Sequence, residues 1–283
     1  MKFTKAISLG LTRTIRSAKS ILIIWLITFL GFALFAIPLK GSIFQALGNS
    51  YGTELIRDGF NIDFWADLAS VASFLPMISR GGLFLLFLFF IIYIFLNGGL
   101  FDSLRSNSCS YRISSFFGSS AKLFGSYLVA TLLVVLMIIF AAGLIIGVPV
   151  LISRVGGSSD IDTMQAIYKI TRIIFLFASL IFLLVIDYTR AWLAANDHKR
   201  VFKALGYGFK ATFTSFFGSY IFMLLITAIQ ILYVWIVTRL LSGMQPSAPG
   251  GLFLLFILAQ VLFFLKLVLR AWRYGGVTTL YET

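Results

Sequence analysis

FLLVIDYTRAWLAANDHKRVFKALGYGF, residues 182–209, begins as uninterrupted hydrocarbon and ends as a basic amphipathic stretch. A span leaving a bilayer and running on into an interfacial helix has this pattern. Asp187 and Arg190 fall where the apolar run should still lie within the membrane. The surrounding composition favours the bilayer as solvent. The chain has 283 residues, of which 60% are hydrophobic, 17% aromatic and only 12% charged. Its mean hydropathy is +1.00. Soluble domains hold closer to half apolar and a quarter charged residues, so one of this size cannot hide so much apolar surface. The net charge of +13 therefore points to membrane topology and anionic lipid rather than to nucleic acid.

Working outward from that stretch, apolar runs long enough to cross about 30 Å of hydrocarbon, roughly 20 residues each, occur at 20–39, 81–101, 124–152, 168–190, 216–241 and 250–271. The expected fold class is all-α, a polytopic bundle of six transmembrane helices forming one membrane domain over residues 1–283. The first run follows a basic segment but lacks a signal-peptidase site, so it is read as an uncleaved span. With the N-terminus inside, 16 of the 23 Lys and Arg fall on inner segments and 7 on outer ones. That asymmetry puts both termini in the cytoplasm. Six of the ten acids (Glu54, Asp58, Asp63, Asp67, Asp160, Asp162) and all five prolines fall on the outer side, in agreement. The expected location is a bacterial inner membrane.

Short echoes recur along the chain. FGSY occurs at 124–127 and 217–220, RAW at 190–192 and 270–272, and NGGLF at 97–101 is answered by YGGVT at 274–278. KAISLGL at 5–11 matches KALGYGF at 203–209. Together they suggest three helical hairpins, 1–105, 106–197 and 198–283, each opened by a basic pre-helix. In the third pre-helix Val201, Leu205, Phe209 and Phe213 recur every four residues, leaving Lys199, Arg200, Lys203 and Lys210 to other faces. Phe3, Ile7, Leu11 and Ile15 do the same near the N-terminus, and 108–123 is a poorer third example. Such helices are expected to lie in the interface, with their cations at anionic headgroups. The outer loop 40–80, with Trp65, Leu68, Val71 and Leu75 on one helical side, is expected to lie on the outer leaflet or to cap the bundle. Gly143 and Gly147 fit either close helix contact or a helix end loosened ahead of Pro149.

Little here suggests catalysis. No HExxH, GxSxG or Walker loop is present. His198 is a lone histidine, Cys109 a lone cysteine, and Asp160 with Asp162 a D-x-D pair in a Gly/Ser loop. No catalytic residue, metal site or cofactor is expected. What remains is charge at membrane depth, where an ionised side chain costs about 2.5–3.5 kcal/mol even on the lenient insertion scale. Lys and Arg escape by snorkelling, but a short Asp cannot. Asp187 should therefore face the bundle interior and meet a cation, with Arg190, Lys266 and Arg270 as candidates; Asp102 and Arg105 repeat the D-x-x-R spacing. Thr131, Thr227, Gln230 and Gln260 are the polar residues nearest the midplane.

Asp187, Tyr188 and Arg190, followed by Ala204, Leu205 and Phe209, resemble the D-Y-x-R segment and basic helix of bacterial six-helix membrane proteins. These are akin to the membrane domain of glycerophosphoryl diester phosphodiesterases. The resemblance implies the fold; the phosphodiesterase domain is absent, so it implies no activity. The expected role is a non-enzymatic structural or accessory protein that contacts anionic lipid headgroups, with a protein partner or a second copy of the chain also possible and no nucleic acid. The alternative is a small-solute or lipid transporter with a charged cytoplasmic-side cavity around Asp187.

Overall fold

The computed structural model describes residues 2–47, 74–105, 112–155, 161–196, 199–244 and 249–283. His198, Cys109, Asp160 and the cap expected at Trp65, Leu68 and Val71 lie outside them. The described residues are helical almost throughout. In chain order they form α1 (Lys2–Arg16), α2 (Ala18–Leu47), α3 (Phe74–Arg105), α4 (Ile113–Ala142), a π-turn (Gly143–Gly147), α5 (Val148–Val155), α6 (Ile161–Ala195), α7 (Val201–Thr214), α8 (Phe216–Ser242) and α9 (Pro249–Glu282). Among the described residues, five stretches are long and apolar enough to cross a membrane: Gly82–Arg105, Ile113–Ser153, Met164–Ala195, Phe216–Ser242 and Gly250–Glu282. A sixth is reached if the bent pair α1 and α2 counts as one span. The chain is thus an all-α, multi-pass membrane protein. Helices outrun the apolar runs because hydropathy registers only the part in hydrocarbon, whereas backbone hydrogen bonding continues into the interface.

Pro149 shapes the far end of α4. It has no N–H to donate, and the backbone loosens just before it: the Val148 N–H bonds the Gly143 carbonyl, five residues back. A β-carbon added at Gly143 or Gly147 would meet nothing within 4 Å. Those glycines therefore loosen a helix end and make no close helix contact.

The chain divides into two compact units. One comprises Lys19–Tyr93 and Gln230–Val268. Its interior is aromatic: Trp25 stacks on Phe29 at 5.6 Å, Phe32 on Phe89 at 4.4 Å, and Phe29 meets Phe256 at 6.2 Å. Large apolar side chains such as Leu34, Leu83, Phe84, Leu86, Leu252 and Leu254 stay exposed, as expected where lipid is the solvent.

The other unit comprises Met1–Ala18, Ile94–Ile229 and Leu269–Thr283. A core of Ala6, Leu180, Leu184, Tyr188, Phe222, Met223, Ile226 and Val277 lies within it. Its three basic elbows, α1, the start of α4 and α7, each seat small or short side chains on a returning helix. In α7 the buried stripe is Ala204, Gly208 and Thr212. A β-carbon at Gly208 would stand 2.4 Å from Thr189 Oγ1 and 2.7 Å from the Val185 carbonyl oxygen of α6. In α1 the matching stripe is Ala6, Gly10 and Thr14. There a β-carbon at Gly10 would stand 2.7 Å from the Gly276 nitrogen of α9. Thr14 and Thr212 each donate at 2.8 Å to the carbonyl four residues back, Gly10 and Gly208. At the start of α4, Phe116 and Ser120 close on Gly99 of α3, whose N–H donates to Ser120 Oγ at 3.1 Å.

These seats add a protein-facing side to the elbows. The apolar four-residue stripe is expected at the acyl boundary; the small-residue stripe is the one buried on the neighbouring helix, because only glycine and short side chains allow backbones to approach this closely. Val201, Leu205 and Phe209 are half-buried, whereas Phe213, Leu11 and Ile15 are exposed. The α1 seat is reinforced by Trp272 Nε1, which donates to the Ile7 carbonyl at 3.0 Å, and by an Arg13–Glu282 ion pair.

Candidate functional site: a buried arginine–aspartate cluster

Asp187 sits on α6 with no solvent exposure. Its position within the apolar stretch Met164–Ala195 makes the carboxylate expensive unless it meets a counter-charge. Two guanidiniums supply that charge. Arg273 of α9 brings Nε to 3.0 Å from Oδ2, and Arg190, one turn along α6, brings NH1 to 3.8 Å from Oδ1. These are charge contacts rather than well-aligned hydrogen bonds, since neither carboxylate oxygen finds a hydrogen-bonding partner in good geometry.

Each arginine is held from a second side. Arg190 donates to Thr131 Oγ1 at 3.0 Å and lies 6.0 Å from the centre of the Tyr127 ring. The Tyr127 hydroxyl in turn donates to the Arg190 carbonyl at 2.8 Å. Arg273 lies 4.9 Å from the centre of the Tyr274 ring, and Arg270 5.8 Å from the same ring, with its Nε donating to the Tyr274 hydroxyl at 3.1 Å. Phe101 of α3 meets both tyrosines, at 6.0 Å from Tyr127 and 4.7 Å from Tyr274. Four helices, α3, α4, α6 and α9, thus converge on one polar core walled by aromatic rings.

Of the three cations expected opposite Asp187, the structure places Arg190 3.8 Å from its carboxylate. Arg270 is in the cluster but bonds Tyr274. Lys266 belongs to the other unit, where it is exposed and lines a cavity of about 180 Å³ with Tyr233, Thr238 and Phe263. The closer partner, Arg273, was missed because the apolar run ends at 271 whereas α9 continues unbroken to Glu282. A signal was available: Arg270 and Arg273 are three apart and so share a helix face. The second D-x-x-R has a different use, since Asp102 accepts from Ser119 at 2.7 Å and Arg105 donates to the Ala194 carbonyl at 2.9 Å. Lys199, Arg200, Lys203 and Lys210 are all exposed. Thr131, singled out only as a polar residue near the midplane, proves to be a partner of Arg190. Among the described residues, no three His, Cys, Asp or Glu side chains come together as a metal site would require. Comparison with protein-family models, curated proteins and solved structures returned no match.

Proposed function

We propose that this chain is a non-enzymatic membrane protein of structural or accessory role, in which Asp187 clamps two spans together. One observation carries the reading: Asp187 is fully buried between guanidiniums from two different helices, α6 and α9. A solute pathway needs water or ligand access to its charged group, so a carboxylate closed in this way supports a clamp over the transport reading. The cavity along Asp162–Leu176 and the one around Tyr233 and Lys266 are lined by other residues than Asp187, Arg190 and Arg273.

The same proposal takes the three elbows as copies of one hairpin unit, supported by the matching Ala-x-x-x-Gly-x-x-x-Thr seats at 6–14 and 204–212. It places the elbows at the cytoplasmic leaflet of a bacterial inner membrane. There Lys199, Arg200, Lys203 and Lys210 meet anionic headgroups beside exposed Phe202 and Phe213. The likeness of Asp187, Tyr188 and Arg190 to the six-helix family bears on the fold alone. Asp187→Asn tests the clamp through unfolding in detergent. It should lower the midpoint strongly, because two guanidiniums then face one another without a counter-charge. An unchanged midpoint would remove the basis for the clamp.

A further inference from the structure

Lys266 stands out in the unit formed by Lys19–Tyr93 and Gln230–Val268. The described residues of that unit contain no Asp or Glu, yet Lys266 lies within the apolar stretch Gly250–Glu282. It is five residues, about 7.5 Å of helix rise, inside the end of the apolar run at 271. An ammonium at such depth is costly unless it reaches a counter-charge. The same lysine lines a groove. Val234, Val237 and Leu241 of α8 form one wall and Ala259, Leu262 and Phe263 of α9 the other, around a cavity of about 180 Å³. The Tyr233 hydroxyl donates to the Leu262 carbonyl and ties the two walls together. Val234, Thr238 and Lys266 are exposed, so the groove opens on the outside of the unit.

We propose that this groove holds one anionic phospholipid, with an acyl chain between α8 and α9 and the phosphate on Lys266. The walls suit a hydrocarbon chain, being apolar apart from Tyr233 and Thr238. Lys266 is the one charged residue among those lining the groove, and it lies at the end nearer the finish of the apolar run. From there a lysine reaches the level of the phosphates by snorkelling, while its stem stays against apolar surface. Its ammonium is a compact point charge with three donors, which suits a phosphate oxygen. A net negative lipid is favoured over a zwitterionic one, because a basic pocket between transmembrane helices attracts anionic headgroups. Nothing in this site depends on the Asp187 clamp or on the lysines of α7, which belong to the other unit.

The test uses the full chain in a neutral detergent, titrated with phosphatidylglycerol and followed by native mass spectrometry, which counts the lipids retained per chain. The parent should saturate with one tightly held phosphatidylglycerol, and phosphatidylcholine should not replace it. Lys266→Gln should raise the half-saturation point about fivefold, the worth of one lysine–headgroup attraction, whereas Lys266→Arg should keep the tight site. Ala259→Leu fills the groove but leaves the lysine in place, and it should remove the site. Lys203→Gln on α7 should leave it unchanged, which separates the groove from headgroup contacts of the elbow. Because Lys266 is exposed, Lys266→Gln should keep the parent's thermal midpoint in lipid-free detergent, so that weaker binding is not a loss of fold. Unchanged phosphatidylglycerol binding in both Lys266→Gln and Ala259→Leu overturns the site. So does equally tight phosphatidylcholine, displacement of the lipid by equimolar oleate, or a dimer that Lys266→Gln splits. Those results would give the groove to a zwitterionic lipid, a fatty acid or a second copy of the chain respectively.

Discussion

Gly206 and Gly208 lie two residues apart on α7, and alanine should have opposite effects at the two positions. At Gly206 an added β-carbon meets nothing within 4 Å. Gly206→Ala should therefore deliver only the helix-propensity gain, about 0.5–1 kcal/mol. At Gly208 the same methyl would stand 2.4 Å from Thr189 Oγ1 and 2.7 Å from the Val185 carbonyl. The threonine hydroxyl can rotate away, but it then forfeits its 2.7 Å bond to the Val185 carbonyl. The carbonyl itself is helix backbone and cannot yield. Elbow and span must separate by several tenths of an ångström along the seat of Ala204, Gly208 and Thr212. Overpacking of this kind costs about 1–3 kcal/mol, which exceeds the propensity gain. Equilibrium unfolding in mixed micelles, by titration with a denaturing detergent, should place Gly206→Ala above the parent and Gly208→Ala below it. If Gly208→Ala proved as stable as Gly206→Ala, α7 would not be seated on α6 as described.

Three further substitutions probe neighbouring contacts by the same assay. Gly276→Ala would place a methyl 2.1 Å from the Phe222 ring; it should destabilise by about 1–3 kcal/mol, and Phe222→Leu in the same chain should restore part of the loss. Tyr127→Phe removes the hydroxyl that donates to the Arg190 carbonyl and should cost about 1 kcal/mol. Glu282→Gln breaks the Arg13 pair, whose side chains are 20% and 31% exposed. A partly solvated pair of this kind should be worth at most about 1 kcal/mol and should weaken further in salt.

Much of this arrangement was legible from residue chemistry. Apolar runs marked the spans because no soluble core absorbs them, and Asp187 stood out because a short carboxylate cannot snorkel. The elbow seats were not foreseen for a physical reason. Hydropathy weighs Phe209 and Phe213 heavily and Gly208 hardly at all, yet close backbone approach depends on the absence of a side chain. The alignment of KAISLGL with KALGYGF already held the answer, since it pairs Ala6 with Ala204 and Gly10 with Gly208. Arg273 was hidden by a boundary drawn from hydropathy, when the helix carrying it continues for another eleven residues past 271. The aromatic walls, Tyr127, Tyr274 and Phe101, come from three helices distant in sequence, and no local pattern brings them together.

The clamp itself is tested most directly by a double-mutant cycle across Asp187 and Arg273, 3.0 Å apart. Asp187→Leu should cost about 3–5 kcal/mol, because it strands the buried guanidiniums of Arg190 and Arg273; Arg273→Met should cost less, because Arg190 still faces the carboxylate. Combined, they remove this pair and leave only Arg190 without its counter-charge, and should cost clearly less than the two losses added, with a coupling of about 1–3 kcal/mol. Strictly additive losses would mean that α6 and α9 are not joined through this pair.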